Sequence, residues 1–391
     1  MIFLRLLVVW ACCLGVESAW NLTRADILFR QDTRYSIGAA LALEPDAWRY
    51  AIRLSQLDEA HAPALLERAL SLDPYSAQAD IELGLQAEAD GDDARAERSL
   101  LSAFAVDRTF LPRWSLANFY LRHDRMAEFR TWARRAMEMP PQDAGPLFEL
   151  CWRVDPDPAK MSAWVVTDDP VVLRQYLDFL TKKEQPAALA PFAWRLLRAG
   201  TAQADRAFLF SIVDRMVAAN LSTDARALWR GMADRRWLVA DATMPNNALF
   251  EHEPMAVSFD WSLAAMEGVH SWTGSAGLET ELTGAEPERC VLAEQAVTLD
   301  PGSYRLTYSY RTMGIAPGTG MRWQLVDAAS GALVAESGDL SSDAVKEDGV
   351  AFVVAPGESL FHLRLSYERV VGTARIAGNL RVLSTRIQLR T

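Results

Sequence analysis

Residues 72–107 read LDPYSAQADIELGLQAEADGDDARAERSLLSAFAVD and decide the fold of the first half of the chain. The pair Leu72-Asp73 at the start is followed, 34 residues later, by the similar pair Val106-Asp107. Apolar residues recur at helical spacing on both sides of Gly91, whose permissive backbone suits a tight turn between two helices. The stretch therefore predicts a helical hairpin that repeats along the chain.

Several positions in this stretch resemble the marked positions of the tetratricopeptide repeat: Pro74, Leu83-Gly84, Gly91, Ala96, Leu100 and Ala103. Gly84 and Ala96 are small where the two helices of one repeat must approach closely. The resemblance covers Trp48–Met139, and helical periodicity continues over Pro146–Trp237. Because one repeat cannot bury its own faces, the resemblance implies an α-solenoid of stacked repeats over residues 20–240, with a protein partner bound on its surface.

The sequence pattern changes near Asp241, where long helical periodicity ends and turn residues begin. In Gly302–Arg311 every second residue is apolar or aromatic, as expected for a strand with one buried face. We expect residues 241–257 to form a linker and the first strand, and residues 258–391 to form an antiparallel β-sandwich. Other predicted strands are Val291–Leu299, Met321–Asp327, Leu333–Glu336, Val350–Val354, Phe361–Tyr367 and Leu380–Leu389.

Three segments of the second half resemble the jelly-roll carbohydrate-binding modules and their galactose-binding-like relatives. These are residues 247–251, which read NALFE with Ala248 at the place of the usual glycine, Phe259-Asp260-Trp261, and the stretch 296–306. The whole chain resembles bacterial exported proteins that join tetratricopeptide repeats to such a sandwich, a class associated with polysaccharide assembly or export. The resemblance implies a multidomain α + β protein, an α-solenoid followed by a jelly roll.

Residues 1–19 have the features of a secretory signal peptide. Arg5 precedes the apolar run Leu6–Gly15, and small residues suit cleavage after Ser18. The alternative is an uncleaved anchor in the inner membrane, although a spanning helix needs about 20 apolar residues. We expect an exported, periplasmic or envelope-associated protein, which would meet a membrane only through residues 1–19 and only if they are not cleaved.

The composition excludes several classes of function. The chain has 391 residues and a formal net charge of −11, opposite to the basic surplus that nucleic-acid binding requires. It contains no HExxH, GxSxG or P-loop motif, so we expect a protein that is not an enzyme. Paired carboxylates can be distant in sequence, so a hydrolase without a recognisable motif stays open as an alternative. We expect Cys151 and Cys290 to be buried free thiols.

The candidate binding residues lie in the predicted sandwich. Trp272 offers a flat ring for the C–H face of a sugar, and four polar side chains on predicted outer faces offer hydrogen bonds to its hydroxyls: Arg305, Arg311, Arg322 and Gln324. Trp323 lies between Arg322 and Gln324 along the predicted strand, so it is expected to face the core. In an extended segment Glu251 and Glu253 would share a face and would offer two oxygen ligands to a hard cation. The resembled modules often hold a structural calcium near this motif, and we expect no other cofactor.

These features favour a non-enzymatic adaptor of the cell envelope. The solenoid would bind a protein partner, and the sandwich would dock on a glycan or on a neighbouring subunit. The alternative to this adaptor is a carbohydrate-binding protein in which the solenoid serves as a spacer. Large aromatic residues at helical spacing in the solenoid are expected to be core residues: Trp48, Trp114, Phe119, Tyr120, Trp132, Trp152, Trp164 and Trp194.

Overall fold

The computed structural model describes residues 2–274, 276–357 and 359–390, and it describes residues 2–9 and 11–14 by their backbone alone. The chain divides into two compact units, Met1–Thr167 and Asp168–Thr391. The division lies well before Asp241, where the sequence pattern changes. The second unit therefore contains the last helices of the chain together with the sandwich.

The described part of the first unit contains ten α-helices. They are α1 (Ile2–Arg30), α2 (Arg34–Leu43), α3 (Trp48–Ser55), α4 (Ala62–Leu72), α5 (Ala77–Ala89), α6 (Asp93–Val106), α7 (Phe110–Arg122), α8 (Met126–Ala136), α9 (Gly145–Val154) and α10 (Pro158–Trp164). The pairs α3–α4, α5–α6 and α7–α8 pack as successive helical hairpins. The repeat pattern of the sequence is thus confirmed as tetratricopeptide-like hairpins.

The hairpin α5–α6 shows why small residues occupy the marked positions. A Cβ atom at Gly84 would lie 2.8 Å from Cγ of Leu100, closer than carbon atoms approach in proteins. Ala96 and Ala103 are fully buried on α6. Gly91 has φ of +80°, a conformation that glycine adopts without strain, and it permits the tight turn between the helices.

Helix α1 is continuous from Ile2 to Arg30. Near its end Ala25 is fully buried, and the ring of Phe29 stacks on Tyr50 of α3 with 4.7 Å between the centroids. The predicted export segment, residues 1–19, falls largely on residues whose side chains are not described. Within the described residues, no helix is both long enough and apolar enough to cross a membrane.

Three of the aromatic residues predicted as core are confirmed as buried, namely Phe119, Tyr120 and Trp132. The other five are partly exposed, and of these Trp48 packs against the apolar cluster around Ile52 and Leu66. The remaining partly exposed rings are Trp114, Trp152, Trp164 and Trp194. The thiols of Cys151 and Cys290 are both free and buried, as predicted, and burial raises the pKa of each.

The described part of the second unit begins with four helices and continues into ten strands. The helices are α11 (Pro170–Lys182), α12 (Leu189–Ala199), α13 (Ala202–Ala218) and α14 (Ser222–Asp234). The strands are β1 (Ser262–Leu263), β2 (Val269–Gly274), β3 (Gly277–Thr283), β4 (Arg289–Thr298), β5 (Gly302–Met313), β6 (Met321–Asp327), β7 (Leu333–Glu336), β8 (Lys346–Val354), β9 (Leu360–Glu368) and β10 (Ala377–Leu389).

The strands form two antiparallel five-stranded sheets. The first sheet has the order β1-β4-β9-β6-β7, and the second has the order β2-β3-β10-β5-β8. Successive strands from β4 to β6 and from β7 to β10 pass between the sheets, as in a jelly roll. The predicted α-solenoid-plus-sandwich fold class is therefore confirmed.

The predicted alternation in β5 is confirmed. Leu306, Tyr308 and Tyr310 are at most 2% exposed, while Arg305 and Arg311 are exposed on the other face. Strands β2 and β3 were not predicted, because they lack the run of valine, isoleucine and aromatic residues on which strand prediction depends.

The segment 241–257, predicted to contain the first strand, is irregular, and β1 begins only at Ser262. Asn247, Phe250 and Ala256 have positive φ angles, which an extended strand does not contain. Here side chains, and not a neighbouring strand, form the hydrogen bonds that the backbone N–H and C=O groups need. Gln295 accepts from the Asn246 N–H and donates to its carbonyl, at 2.6 and 2.9 Å.

Helices α13 and α14 pack directly on the sandwich. The ring of Trp229 lies between Phe210 and Phe259, with centroid distances of 5.7 and 6.0 Å. Asp214 accepts hydrogen bonds from the backbone and hydroxyl of Ser258, and Ser222 bonds Ser359 at 2.8 Å. These contacts explain why the compact unit extends back into the helical sequence.

Candidate functional site

Trp272 lies on the edge strand β2 and is 45% exposed. It lines an open cleft of about 690 Å³, within the range of about 300–1,000 Å³ usual for small-molecule sites. The other wall of the cleft is the irregular segment that contains Glu251 and Glu253. The structure thus brings together the predicted sugar-stacking residue and the two predicted cation ligands.

A row of four side chains crosses the outer face of the second sheet from Trp272. Strand register places Trp272 opposite Glu279, Glu279 opposite Arg381, and Arg381 opposite Arg311. Directly opposed residues share one face of a sheet, and three strand spacings of about 4.8 Å make a row of about 14 Å. The row, Trp272–Glu279–Arg381–Arg311, combines one flat ring with charged donors and acceptors.

Within this row, Arg381 and Glu279 form an ion pair with 3.0 Å between Nη2 and Oε1. Both side chains remain partly exposed, so the pair contributes little to stability and can exchange partners with a ligand. Neither residue was singled out from the sequence. The alternation in β3, with Leu278 and Leu282 buried and Glu279 and Glu281 outward, was the signal that could have found the acidic member.

Arg305 shares the outer face with Arg311 but lies at the other end of β5. It stands opposite Gln388 of β10 and Ala351 of β8. Six residues of extended strand separate the two arginines by about 20 Å. Arg305 therefore lies outside the row, on a different part of the same face.

Arg322 and Gln324 belong to the other sheet, so the structure does not unite the five predicted binding residues on one face. Arg322 donates from Nε to Asp339 at 2.6 Å, and this hydrogen bond raises its pKa. Gln324 donates to Glu336 at 2.8 Å. Trp323, between them, is fully buried beside Trp261 and Tyr308, which confirms the prediction that it faces the core.

Glu251 and Glu253 are both exposed. Among the described residues, no group of three or more histidine, cysteine or acidic side chains is placed to hold a metal ion. Two carboxylates on an open cleft wall would have to gain further oxygen ligands from backbone carbonyls or water to hold calcium. Calcium at this segment stays a prediction.

The residues that carry the resemblance to carbohydrate-binding modules have a structural role here. Asn247 donates from Nδ2 to the His252 carbonyl at 2.8 Å, and its own carbonyl accepts from Nε1 of Trp261 at 3.2 Å. Phe250 packs on Trp261 with 5.1 Å between the ring centroids. The motif residues therefore form the support of the cleft that Trp272 lines.

A second cleft, of about 700 Å³, is lined by the carboxylates of Asp234, Asp241, Glu253 and Asp260. Burial raises the pKa of Asp260, as a general acid would require. However, its two oxygens accept hydrogen bonds from the backbone N–H groups of Met255 and Trp261, at 3.0 and 2.9 Å. Through these hydrogen bonds Asp260 stabilises the loop 255–261. This structural role accounts for the buried carboxylate without a catalytic one.

In the first unit, exposed apolar side chains recur at the turns where one hairpin passes into the next. Leu72 and Tyr75 flank the turn between α4 and α5, Val106 and Leu111 flank the turn between α6 and α7, and Met139 follows α8. Successive turns of stacked repeats lie along one edge of the stack. We call these five residues the apolar edge and treat it as a candidate surface for a protein partner.

No protein-family model and no curated protein matches the sequence. Solved structures match its parts at low similarity. A CBM4 structure has 10% identity and a TM-score of 0.30, covering 37% of this chain and 99% of its own. Pseudomonas aeruginosa PilF has 17% identity and a TM-score of 0.27, covering 49% and 92%. A CBM22 xylan-binding domain of Paenibacillus barcinonensis Xyn10C has 13% identity and a TM-score of 0.26, covering 36% and 91%.

At TM-scores this low, the similarities carry no argument about function. The fold rests on the chain's own helices and strands, namely the hairpin pairs α3–α4, α5–α6 and α7–α8 and the two five-stranded sheets. The chain therefore joins tetratricopeptide-like helical hairpins to an antiparallel β-sandwich of two five-stranded sheets.

Proposed function

We propose that the protein is a non-enzymatic adaptor of the bacterial cell envelope, exported by residues 1–19. Its sandwich binds a glycan, and its helical hairpins bind a protein partner. One observation supports the proposal: the row from Trp272 to Arg311 lies exposed on the sandwich, and the apolar edge lies exposed on the hairpins. The proposal includes a role in polysaccharide assembly or export, in which the adaptor would hold a glycan and a protein partner together.

The glycan side of the proposal depends on the row across β2, β3, β10 and β5. An exposed indole ring can stack on the C–H face of a sugar, while Arg381, Glu279 and Arg311 can bind hydroxyl groups. The row is about 14 Å long, which suits an extended chain of sugars better than a single small group. Calcium at Glu251 and Glu253 would order the wall of the neighbouring cleft.

We expect Trp272→Ala to weaken glycan binding at least about tenfold, which corresponds to about 1.4 kcal/mol. The measurement is a glycan array with the exported form of the chain, with and without calcium, followed by titration of the best ligand. Trp272 is 45% exposed on an edge strand, so we expect its loss to leave the fold intact, and thermal melting checks this. A carbohydrate-binding protein without an adaptor role would pass this test as well, so the second surface needs its own experiment.

Arg381→Gln and Arg305→Gln are a matched pair for the same titration. Both arginines lie on the outer face of the second sheet, but only Arg381 belongs to the row. We expect Arg381→Gln to weaken binding and Arg305→Gln to leave it unchanged. An equal effect of the two variants would mean that general positive charge, and not the row, attracts the glycan.

The partner side of the proposal is tested on the apolar edge. We expect the double variant Tyr75→Ser, Leu111→Ser to lose the envelope protein that the wild-type chain captures after crosslinking. Leu101 on α6 is 39% exposed and lies away from the turns, so Leu101→Ser is the control and should retain the same partner. Retention of the partner by the double variant would assign binding to another surface of the hairpins.

A further inference from the structure

A third cleft, of about 520 Å³, lies where one face of α14 meets the end of the sandwich. It is separate from the cleft of Trp272 and shares no lining residue with it. The helix contributes Arg226 and Arg230, which are one turn apart and line the same cleft. We call it the arginine cleft.

The charge of the arginine cleft is unusual for this protein. Among the described residues that line it, Asp300 alone carries a carboxylate against the two guanidinium groups. The chain as a whole carries a formal net charge of −11. Like charges one helical turn apart destabilise a helix unless an anion lies between them. The cleft is therefore a local positive site on an acidic protein.

The hydrogen bonds of the two arginines leave donors for a ligand. Nη1 of Arg226 donates to the carbonyl and the hydroxyl of Thr298. Its other nitrogens have no partner among the described residues, and exposed Arg230 forms no ion pair or side-chain hydrogen bond there. Burial and the like charge of Arg230 both lower the pKa of Arg226, which an anion in the cleft would reverse.

The rest of the lining fits a ligand with both polar and apolar parts. Hydroxyl groups come from Thr243 and from the bonded pair Ser222 and Ser359. Met244 and Leu389 add an apolar wall. The volume of the cleft is typical of small-molecule sites and exceeds what an inorganic anion fills. The ligand is thus expected to carry an anionic group on a larger, hydroxyl-bearing body.

We propose that the arginine cleft binds an acidic sugar, with its carboxylate or phosphoryl group held between Arg226 and Arg230. A guanidinium group donates two parallel hydrogen bonds to either anion, which a lysine could not do. The hydroxyl groups of the cleft bind those of the sugar ring, and the apolar wall covers its C–H face. This site is independent of the row that begins at Trp272.

The experiment is a calorimetric titration of the full chain with four probes: glucuronate, glucose 6-phosphate, glucose and inorganic phosphate. We expect at least one of the two acidic sugars to bind saturably. Comparing the affinities of glucuronate and glucose 6-phosphate shows whether the cleft prefers a carboxylate or a phosphoryl group. Glucose should not bind measurably. Arg230→Gln and Arg226→Gln should each lower the affinity for the acidic sugar at least about tenfold.

Arg230 is exposed, so Arg230→Gln keeps the fold and is the decisive variant, with thermal melting as the check. Arg215→Gln removes an exposed arginine of α13 outside the cleft and should bind as the wild type does. Trp272→Ala should also bind normally, which separates this site from the proposed glycan row. The proposal is overturned if neither acidic sugar binds, if inorganic phosphate binds as tightly, or if Arg230→Gln has no effect.

Discussion

Gly320→Ala is expected to lower the free energy of unfolding of the sandwich by about 3–5 kcal/mol. Gly320 has φ of +90°, and an added Cβ would lie 1.8 Å from the carbonyl oxygen of Glu368. The backbone of Gly320 also accepts a hydrogen bond from the N–H of Glu368 at 3.0 Å, so the two segments cannot separate without losing it. Denaturant unfolding, followed by the intrinsic tryptophan fluorescence of the chain, measures the change.

Gly318 is the matched control, two residues earlier in the same loop. Its φ is +79°, but no atom lies within 4 Å of the position that a Cβ would take. Gly318→Ala therefore adds only the strain of a positive φ, about 1–2 kcal/mol. If the two variants unfold at the same denaturant concentration, the close contact between Gly320 and Glu368 does not exist in solution.

Trp229→Ala is expected to lower stability by about 3–5 kcal/mol, the usual cost of emptying a large buried aromatic site. Trp229 is 1% exposed and fills the space between Phe210 of α13 and Phe259, just before the first sheet. Its loss should also loosen the attachment of α14 to the sandwich. Hydrogen exchange is the measurement, and faster exchange is expected in β4 as well as in α13 and α14.

Trp272→Ala serves as the control for this experiment, because it removes the same side chain from an exposed position. We expect a loss of about 1 kcal/mol, well below that of Trp229→Ala, because only about half of the Trp272 side chain is covered. Faster exchange in the helices with unchanged exchange in β4 would show that the helices and the sandwich unfold independently. The boundary between independently unfolding units would then lie near Asp241, where the sequence pattern changes, and not at Thr167.

The sequence predicted the long, strongly patterned elements well. Strands β6 and β7 begin and end where the alternation of apolar residues predicted, and the buried face of β5 is the predicted one. The hairpin α5–α6 follows from Gly84, Gly91 and Ala96. Such elements are predictable because apolar residues recur with a period of 2 along a strand and 3.6 along a helix. The period shows both the type of element and the face that is buried.

The sites were less predictable, because they depend on which strands become neighbours. Arg311 and Arg322 were both predicted on outer faces of the sandwich, yet the strand order places them on different sheets. Arg381 lies 70 residues after Arg311, and only strand register sets the two side by side. No local pattern contains that information, since pairing partners are chosen by packing across the whole sandwich.

By itself the sequence determined a helical half with a 34-residue repeat, a β half with alternating strands, and a chain too acidic for nucleic acid. The tertiary structure alone decided that Trp272 faces Glu251 and Glu253 across a cleft, and that Arg226 and Arg230 meet the end of the sandwich. Periodicity is a local property that each segment carries in its own residues. A binding site joins segments distant along the chain, so its composition is fixed only when the sheets and helices pack together.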